Sequence, residues 1–237
     1  MVGSLIKEKI TSGQKMLAAL IDPDKAEMSH LSSLLSTANL SKIDLLFVGG
    51  SVLTNGNTQQ TISDIKSICD TPCVLFPGSP DQICPDADAI LLLSLLSGRN
   101  PELLIGKHVE SALRLQQSQL EILSTAYILI DGGAPTTVSY ISGTTPIPAN
   151  KPGLAAMTAL AGEQLGKHLI YMDAGSGAKN PIPVETIQAV RKHTTIPIIV
   201  GGGIRTTEGI KAAWNAGADV VVVGNMLEEN PAFLQEV

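Results

Sequence analysis

The chain of 237 residues is 44 % hydrophobic but only 3 % aromatic, so Leu, Ile, Val and Ala side chains must build its core. Sixteen Lys and Arg against 22 Asp and Glu give a formal charge of −6, which argues against a nucleic-acid-binding protein. No run approaches the roughly 20 apolar residues that span a bilayer, and the charged N-terminus lacks the apolar core of a signal peptide. Three cysteines without metal-ligand spacing are typical of reduced thiols. We therefore expect a cytoplasmic protein.

Apolar runs of strand length recur along the chain, separated mostly by segments of helical length. They predict eight strands, at residues 16–21, 43–48, 73–76, 89–93, 126–130, 168–172, 196–200 and 219–223. Most runs are continuously apolar, as expected for a parallel sheet buried on both faces. Because the length is also close to the roughly 250 residues typical of this fold, we predict an α/β protein in which residues 1–237 form a single (β/α)8 TIM-barrel domain.

The segments between these strands include three clear helices and two departures from a regular barrel. Helices are predicted over 151–166, 183–192 and 206–216, the last with Gly217 ready for a left-handed conformation after its end. Residues 77–88 contain three prolines and a glycine, so the third helix of the barrel is predicted to be missing or replaced. Residues 132–150 are predicted to form a long irregular segment, which is usually functional.

Polar residues follow the first two strands, and barrel chemistry occurs at the C-terminal ends of strands. The first strand ends in Asp22-Pro23-Asp24 and the second in Gly49-Gly-Ser51. Carboxylate and hydroxyl oxygens from adjacent strands suit Mg²⁺. Equally, the two aspartates could cap the first helix after a proline turn. Residue chemistry alone leaves both interpretations open.

The sixth strand ends in Tyr171-Met-Asp-Ala-Gly-Ser-Gly177. Alternation along a strand puts Tyr171 and Asp173 on one side and Met172 on the other. Tyr171 can donate to a phosphate oxygen, and Asp173 can accept a proton from a substrate hydroxyl. The glycines leave room for backbone contact with an anion, although an ordinary flexible turn is the alternative.

The seventh and eighth strands end in Gly201-Gly-Gly203 and Gly224-Asn225, in loops that often bind phosphate in barrels. Glycine allows backbone N–H groups to reach phosphate oxygens, so one substrate is expected to be a phosphate ester. Lys179 and Arg205 flank the loops and either neutralise phosphate charge or are solvated. The four histidines do not lie at predicted strand ends, so triad-type nucleophilic catalysis is not expected.

Taken in order, five motifs closely resemble the geranylgeranylglyceryl phosphate synthase family, which includes the heptaprenylglyceryl phosphate synthases. They are Asp22-Pro-Asp-Lys25, Phe47-Val-Gly-Gly-Ser51, Tyr171-Met-Asp-Ala-Gly-Ser-Gly177, Gly201-Gly-Gly-Ile204 and Val223-Gly-Asn225. The resemblance covers essentially the whole chain, including the segment Tyr140-Ile-Ser-Gly-Thr-Thr-Pro-Ile-Pro148. It is stronger to the branch found in archaea and some bacteria, because Leu20 stands where the other branch has a lysine.

The resemblance implies transfer of a prenyl group from a prenyl diphosphate to the 3-hydroxyl of sn-glycerol 1-phosphate, with geranylgeranyl diphosphate as the expected donor. Mg²⁺ is implied as cofactor, at Asp22 and Ser51. The implied acceptor site comprises Tyr171, Met172, Asp173, Ala174, Gly175, Ser176, Gly177, Gly202, Gly203, Gly224 and Asn225. Asp173, the candidate base, and Tyr171 are the expected catalytic residues.

The family also implies a homo-oligomer, a dimer or a hexamer, and the lipid substrate suggests transient contact with a membrane surface.

The prenyl chain needs an apolar groove, for which the candidates are the run Leu91–Leu96 and the segment 77–88. Leu91–Leu93 are interpreted as core strand.

Two rival functions share the glycine loops. Another phosphate-binding barrel, such as a sugar-phosphate epimerase or an indole-glycerol-phosphate synthase, would not require the pair Asp22 and Ser51. A non-catalytic phosphate binder would not require polar residues at every expected strand end.

Overall fold

Eight parallel strands close into a barrel in the order of the sequence. The computed structural model describes residues 1–35, 40–224, 226–227, 230 and 233–234. The strands are β1 Met16–Ile21, β2 Leu45–Val48, β3 Cys73–Leu75, β4 Ala89–Leu95, β5 Glu121–Leu129, β6 Leu169–Asp173, β7 Ile198–Gly201 and β8 Val220–Val223. The predicted barrel fold is confirmed.

Helices surround the strands, and one helix precedes β1. In the described residues they are α1 Val2–Thr11, α2 Met28–Leu34, α3 Thr58–Ile68, α4 Lys107–Ser118, α5 Thr137–Ser142, α6 Pro152–Gln164, α7 Val184–His193 and α8 Thr207–Ala216. The side chain of Thr206 caps α8, and Gly217 follows it with a φ of 118°. The three helices predicted from the sequence are therefore present, with ends shifted by at most two residues. None of the described helices has the length and hydropathy needed to cross a membrane.

The third barrel helix is replaced, as predicted. Between β3 and β4 the chain forms only the short 3-10 turn Pro80–Gln82. Proline lacks the N–H that a continuing helix requires, and three prolines lie within this stretch. We call residues 77–84 the proline segment.

Two predictions about β5 and the chain after it were wrong. The strand begins at Glu121 rather than at residue 126, because Ser124 and Thr125 interrupt the apolar run without interrupting its pairing with β4. Residues 132–150 are not irregular throughout, since they contain α5. A capping box at Thr136 starts this helix, and Gly143 ends it with a φ of 60°.

The core has two layers that follow the alternation along each strand. In β8, Val220 and Val222 belong to the cluster inside the barrel, whereas Val221 and Val223 pack in the outer cluster that also includes the helices. Helix α1 contributes Val2 and Ile6 to the inner cluster. The helix lies against the first residues of β5, where the Glu121 carboxylate accepts hydrogen bonds from its first backbone N–H groups. Helix α1 therefore packs over the N-terminal end of the barrel, opposite the strand ends that carry the predicted site.

Candidate active site

A cavity of about 320 Å³ lies at the C-terminal end of the barrel, a volume within the usual range for small-molecule sites. Loops from both sides of the barrel line it. The predicted site residues that line it are Asp22, Ser51, Tyr171, Asp173, Ser176, Gly177, Gly202, Gly203 and Gly224. The fold therefore brings most of the predicted site into one space.

Asp22 both caps a turn and faces the cavity. Its Oδ1 accepts a hydrogen bond of 3.0 Å from the backbone N–H of Asp24 and caps the turn Pro23–Lys25. A Cβ added to Gly50 would lie 3.7 Å from the same oxygen, so the ends of β1 and β2 meet here. The capping and metal-binding interpretations of Asp22 are thus compatible.

Asp24 has a different position and a structural role. Its carboxylate accepts hydrogen bonds from the backbone N–H groups of Thr54, Asn55 and Gly56 and from the Thr54 hydroxyl. The backbone hydrogen bonds from Thr54 and Asn55 are the main reason that the pKa of Asp24 falls to about 2. Asp24 does not line the cavity. It instead holds the loop that follows Ser51.

The chemistry of Asp22 and Ser51 fits Mg²⁺. This cation is commonly held by one or two carboxylates, with water and substrate phosphate oxygens completing its shell. Within the described ranges, no group of three or more His, Cys, Asp and Glu side chains could form a protein-only cage. The two side-chain oxygens of this pair leave most positions of an octahedral Mg²⁺ shell for water and substrate oxygens.

Asp173 is held inside the barrel by two hydrogen bonds. The Tyr127 hydroxyl donates to Oδ2 at 2.6 Å, and the backbone N–H of Gly175 donates to Oδ1 at 2.7 Å. Burial raises the pKa of the Asp173 carboxyl, whereas these two hydrogen bonds lower it. A raised pKa and a fixed orientation both suit a group that accepts a proton from a substrate.

Tyr127 is a site residue that the sequence analysis missed. In the observed register it pairs with Tyr171 on the neighbouring strand. Burial raises the pKa of both phenols, which therefore stay protonated. The rings lie edge to face at 5.6 Å, and Phe76 stacks on Tyr171 at 5.0 Å. With only three Phe, three Tyr and one Trp in the chain, this grouping of rings is a feature of the site.

Glycine is required directly after β7, where the backbone passes close to the end of β6. Gly202 and Gly203 have φ values of +82° and +70°, which side-chain-bearing residues rarely adopt. A Cβ on Gly202 would lie 2.7 Å from Asp173 Oδ1 and 2.7 Å from the Gly175 nitrogen. The backbone therefore approaches the carboxylate as closely as it can. Gly224 lies against Leu20, and the predicted Asn225 is outside the described residues.

Part of the predicted acceptor stretch does not face the cavity. The side chains of Met172 and Ala174 pack in the outer cluster, as strand alternation requires, and they do not line the cavity. The N–H of Gly175 binds Asp173. Arg205 lines the cavity and donates to the Ala178 carbonyl at 3.0 Å, whereas Lys179 does not line it.

An apolar arm extends the cavity towards the proline segment. Leu91 and Leu93 of β4 line it. The sequence interpretation assigned Leu91–Leu93 to the core strand alone, whereas in the structure these residues also form a wall of the cavity. The arm also includes Phe76, Pro80, Ile83, Leu103, Leu115 and Val138. Pro80 and Ile83 belong to the proline segment that replaces the third barrel helix, so this replacement forms part of the arm.

A barrel with glycine loops at β6 to β8 and a carboxylate–hydroxyl pair at β1 and β2 belongs to the class of (β/α)8 barrels built to bind phosphate esters. Residues 8–237 match the PcrB family, and the chain belongs to this family.

The geranylgeranylglyceryl phosphate synthase of Spirosoma linguale is 50 % identical over 234 residues, covering 99 % of this chain and 94 % of the relative. The Chitinophaga pinensis protein of the same name is 49 % identical over 230 residues, covering 97 % and 91 %. The crystal structure of (S)-3-O-geranylgeranylglyceryl phosphate synthase from Thermoplasma acidophilum, in complex with substrate sn-glycerol-1-phosphate, has a TM-score of 0.91 at 33 % identity and covers 99 % and 96 %. The resemblance inferred from the motifs is confirmed.

Proposed function

We propose that this protein transfers a prenyl group from a prenyl diphosphate, with geranylgeranyl diphosphate as donor, to the 3-hydroxyl of sn-glycerol 1-phosphate. The products are a prenyl ether and diphosphate. The observation that carries the proposal is one cavity that joins glycine loops, a buried carboxylate, a metal-compatible pair and an apolar arm. The names of the relatives and the acceptor bound to the Thermoplasma acidophilum enzyme support it.

The acceptor phosphate belongs at the loops after β6, β7 and β8. There Gly177, Gly202 and Gly203 have left-handed backbone conformations and line the cavity, so the backbone can contact an anion closely. Arg205 adds positive charge at the same end. An acceptor held in this way presents its hydroxyl to Asp173, which removes the proton as the ether bond forms.

The prenyl donor belongs in the apolar arm. Its reactive carbon becomes electron-poor as diphosphate leaves, and the rings of Phe76, Tyr127 and Tyr171 line the space where that carbon would lie. Aromatic faces attract positive charge. The apolar walls also exclude water, which would otherwise compete with the acceptor hydroxyl.

Asp22 and Ser51 are the residues that would hold Mg²⁺ beside the donor diphosphate. When bound there, Mg²⁺ would neutralise charge that develops on the leaving diphosphate. The homo-oligomeric state, the cytoplasmic location and transient contact with a membrane remain predictions from the sequence.

The test is incubation of the protein with Mg²⁺, sn-glycerol 1-phosphate and geranylgeranyl diphosphate. We expect release of diphosphate together with a prenyl ether, and loss of both in the variant Asp173→Asn. The opposite enantiomer, sn-glycerol 3-phosphate, is the matched control for the acceptor. Absence of turnover with every donor from farnesyl to heptaprenyl diphosphate would refute the proposal.

A further inference from the structure

The proline segment forms one wall of the apolar arm. Pro80 and Ile83 line the cavity from this segment, and Ser111 and Leu115 of α4 line it from the neighbouring helix. Because the segment forms only one short 3-10 turn, no continuous helix satisfies its carbonyl groups, and several of them accept hydrogen bonds from a side chain outside the segment. The position of this wall therefore depends on residues outside the segment.

Arg114 of α4 supplies such partners on one side. Its guanidinium donates to the carbonyl oxygens of Pro80 at 3.0 Å, Ile83 at 2.7 Å and Asp81 at 3.5 Å. A guanidinium presents several donors in a rigid planar arrangement, so one side chain can bind three carbonyl groups of the same segment. Arg114 thereby ties the segment to the helix that carries Leu115.

Gln82 fixes the other side. Its side chain is 4 % exposed, accepts a hydrogen bond from the Gly78 N–H at 3.0 Å and donates to the Gly50 carbonyl at 3.1 Å. Gly50 directly precedes Ser51 of the proposed metal pair. A Cβ on Gly78 would lie 2.3 Å from the Ser51 carbonyl oxygen, so the segment also packs tightly against this loop.

We propose that Arg114 and Gln82 are positioning residues for the prenyl donor, an inference that rests on the proposed function. Neither side chain lines the cavity, so both act through the proline segment. Gln82 holds the segment beside the residues proposed for the diphosphate, and Arg114 holds it along the chain-binding arm. Their hydrogen bonds go to the proline segment and Gly50, and none reaches a described residue of the loops after β6, β7 and β8, so we expect the acceptor site not to depend on them.

The first test compares Arg114→Ala with Gln116→Ala, a control at an exposed residue of the same helix. We expect Arg114→Ala to raise the KM for geranylgeranyl diphosphate about tenfold, equivalent to roughly 1.4 kcal/mol. The KM for sn-glycerol 1-phosphate and the kcat at saturating donor should stay within about twofold of wild type. Arg114→Lys should restore part of the donor affinity, because an ammonium can still reach a carbonyl.

The second test uses donors of different length. Arg114 acts along the arm, so its loss should affect geranylgeranyl diphosphate more than geranyl diphosphate. Gln82→Met keeps the side-chain volume but removes both hydrogen bonds near Ser51, so it should raise the KM for both donors to a similar extent. Thermal unfolding midpoints show that each variant is folded, and calorimetric titration with sn-glycerol 1-phosphate reports on the acceptor site directly.

An unchanged donor KM in folded Arg114→Ala and Gln82→Met would overturn the inference. Equal losses for donor and acceptor would also overturn it, because they would indicate a general structural role. If wild-type protein shows no turnover, the proposed function fails first, and the two failures are therefore distinguishable.

Discussion

The Tyr127 hydroxyl donates a hydrogen bond of 2.6 Å to Oδ2 of Asp173 and joins the inner faces of β5 and β6. Asp173 is a buried carboxylate beside the glycine loop after β7, and a Cβ on Gly202 would contact its other oxygen. The hydrogen bond orients the proposed base and stabilises its charged form.

Loss of this hydrogen bond should change the pH dependence of the reaction. Burial raises the pKa of Asp173 and the hydrogen bond lowers it, so Tyr127→Phe should raise that pKa further. The acidic limb of kcat/KM against pH should move to higher pH, because the base must be deprotonated to act. Tyr140→Phe, at a tyrosine that is 85 % exposed, should leave the profile unchanged. A profile that falls in height without moving would argue against Asp173 as the base.

Asp22 should determine the response to Mg²⁺. Asp22→Asn retains an oxygen that can accept the hydrogen bond from Asp24 but loses the negative charge. We expect activity to fall by about 100-fold or more, because several kcal/mol of charge stabilisation would be lost. We also expect half-maximal activity to need a higher Mg²⁺ concentration. Activity measured across a Mg²⁺ titration checks this. Wild-type dependence on Mg²⁺ in the variant would remove Asp22 from the metal site.

Asp24 should affect stability in a pH-dependent way. Its pKa is about 2 in the folded protein against 3.8 for an ordinary aspartate, so its stabilising effect is present above about pH 4 and is lost as the pH falls towards 2. Asp24→Asn should lower the free energy of unfolding at neutral pH by about 1 kcal/mol, typical of a lost backbone cap. The difference from wild type should shrink as the pH falls, which chemical denaturation at several pH values can follow. A difference that is constant with pH would contradict this account.

Gly202 should tolerate no side chain. Gly202→Ala would place Cβ 2.7 Å from Asp173 Oδ1 at a φ of +82°, so we expect the KM for sn-glycerol 1-phosphate to rise by about 100-fold or binding to be lost. Gly153→Ala in α6 is the control, because an added Cβ there would meet no atom within 4 Å apart from its chain neighbours and the backbone of its own helix. That control should be stabilised by about 0.5–1 kcal/mol without effect on the acceptor. Steady-state kinetics and thermal unfolding measure both effects, and normal acceptor kinetics in Gly202→Ala would show that the loop can move aside.

Filling the apolar arm should shorten the accepted donor. Leu93 is half-buried and lines the arm. The indole ring introduced by Leu93→Trp is larger than the leucine side chain and should occupy space that the prenyl chain needs. We expect kcat/KM to fall more for geranylgeranyl than for farnesyl diphosphate. Leu113→Trp is the control, because Leu113 is 73 % exposed on α4. An unchanged preference among donors would mean that the chain does not bind along β4.

Much of the fold follows from local patterns. The apolar runs that became β1 and β8 end within one residue of their predicted bounds, because strands buried on both faces carry no polar interruption. The start of β5 was missed because Ser124 and Thr125 are buried or half-buried despite their polarity. Their environment is supplied by neighbouring strands and helices, so the local sequence does not reveal it.

For the site, the sequence by itself determined which strand ends carry glycine, carboxylate and hydroxyl groups, because the end of each strand is visible as a change from apolar to polar residues. Only the tertiary structure decided which partners those groups have and which of them face the cavity. The register of β5 against β6 places Tyr127 beside Asp173, and loop closure assigns Asp24 to residues 54–56. Packing of α4 brings Arg114 to a segment more than 30 residues earlier. Each of these contacts joins residues far apart in the chain, and their geometry is set by barrel closure rather than by local propensity.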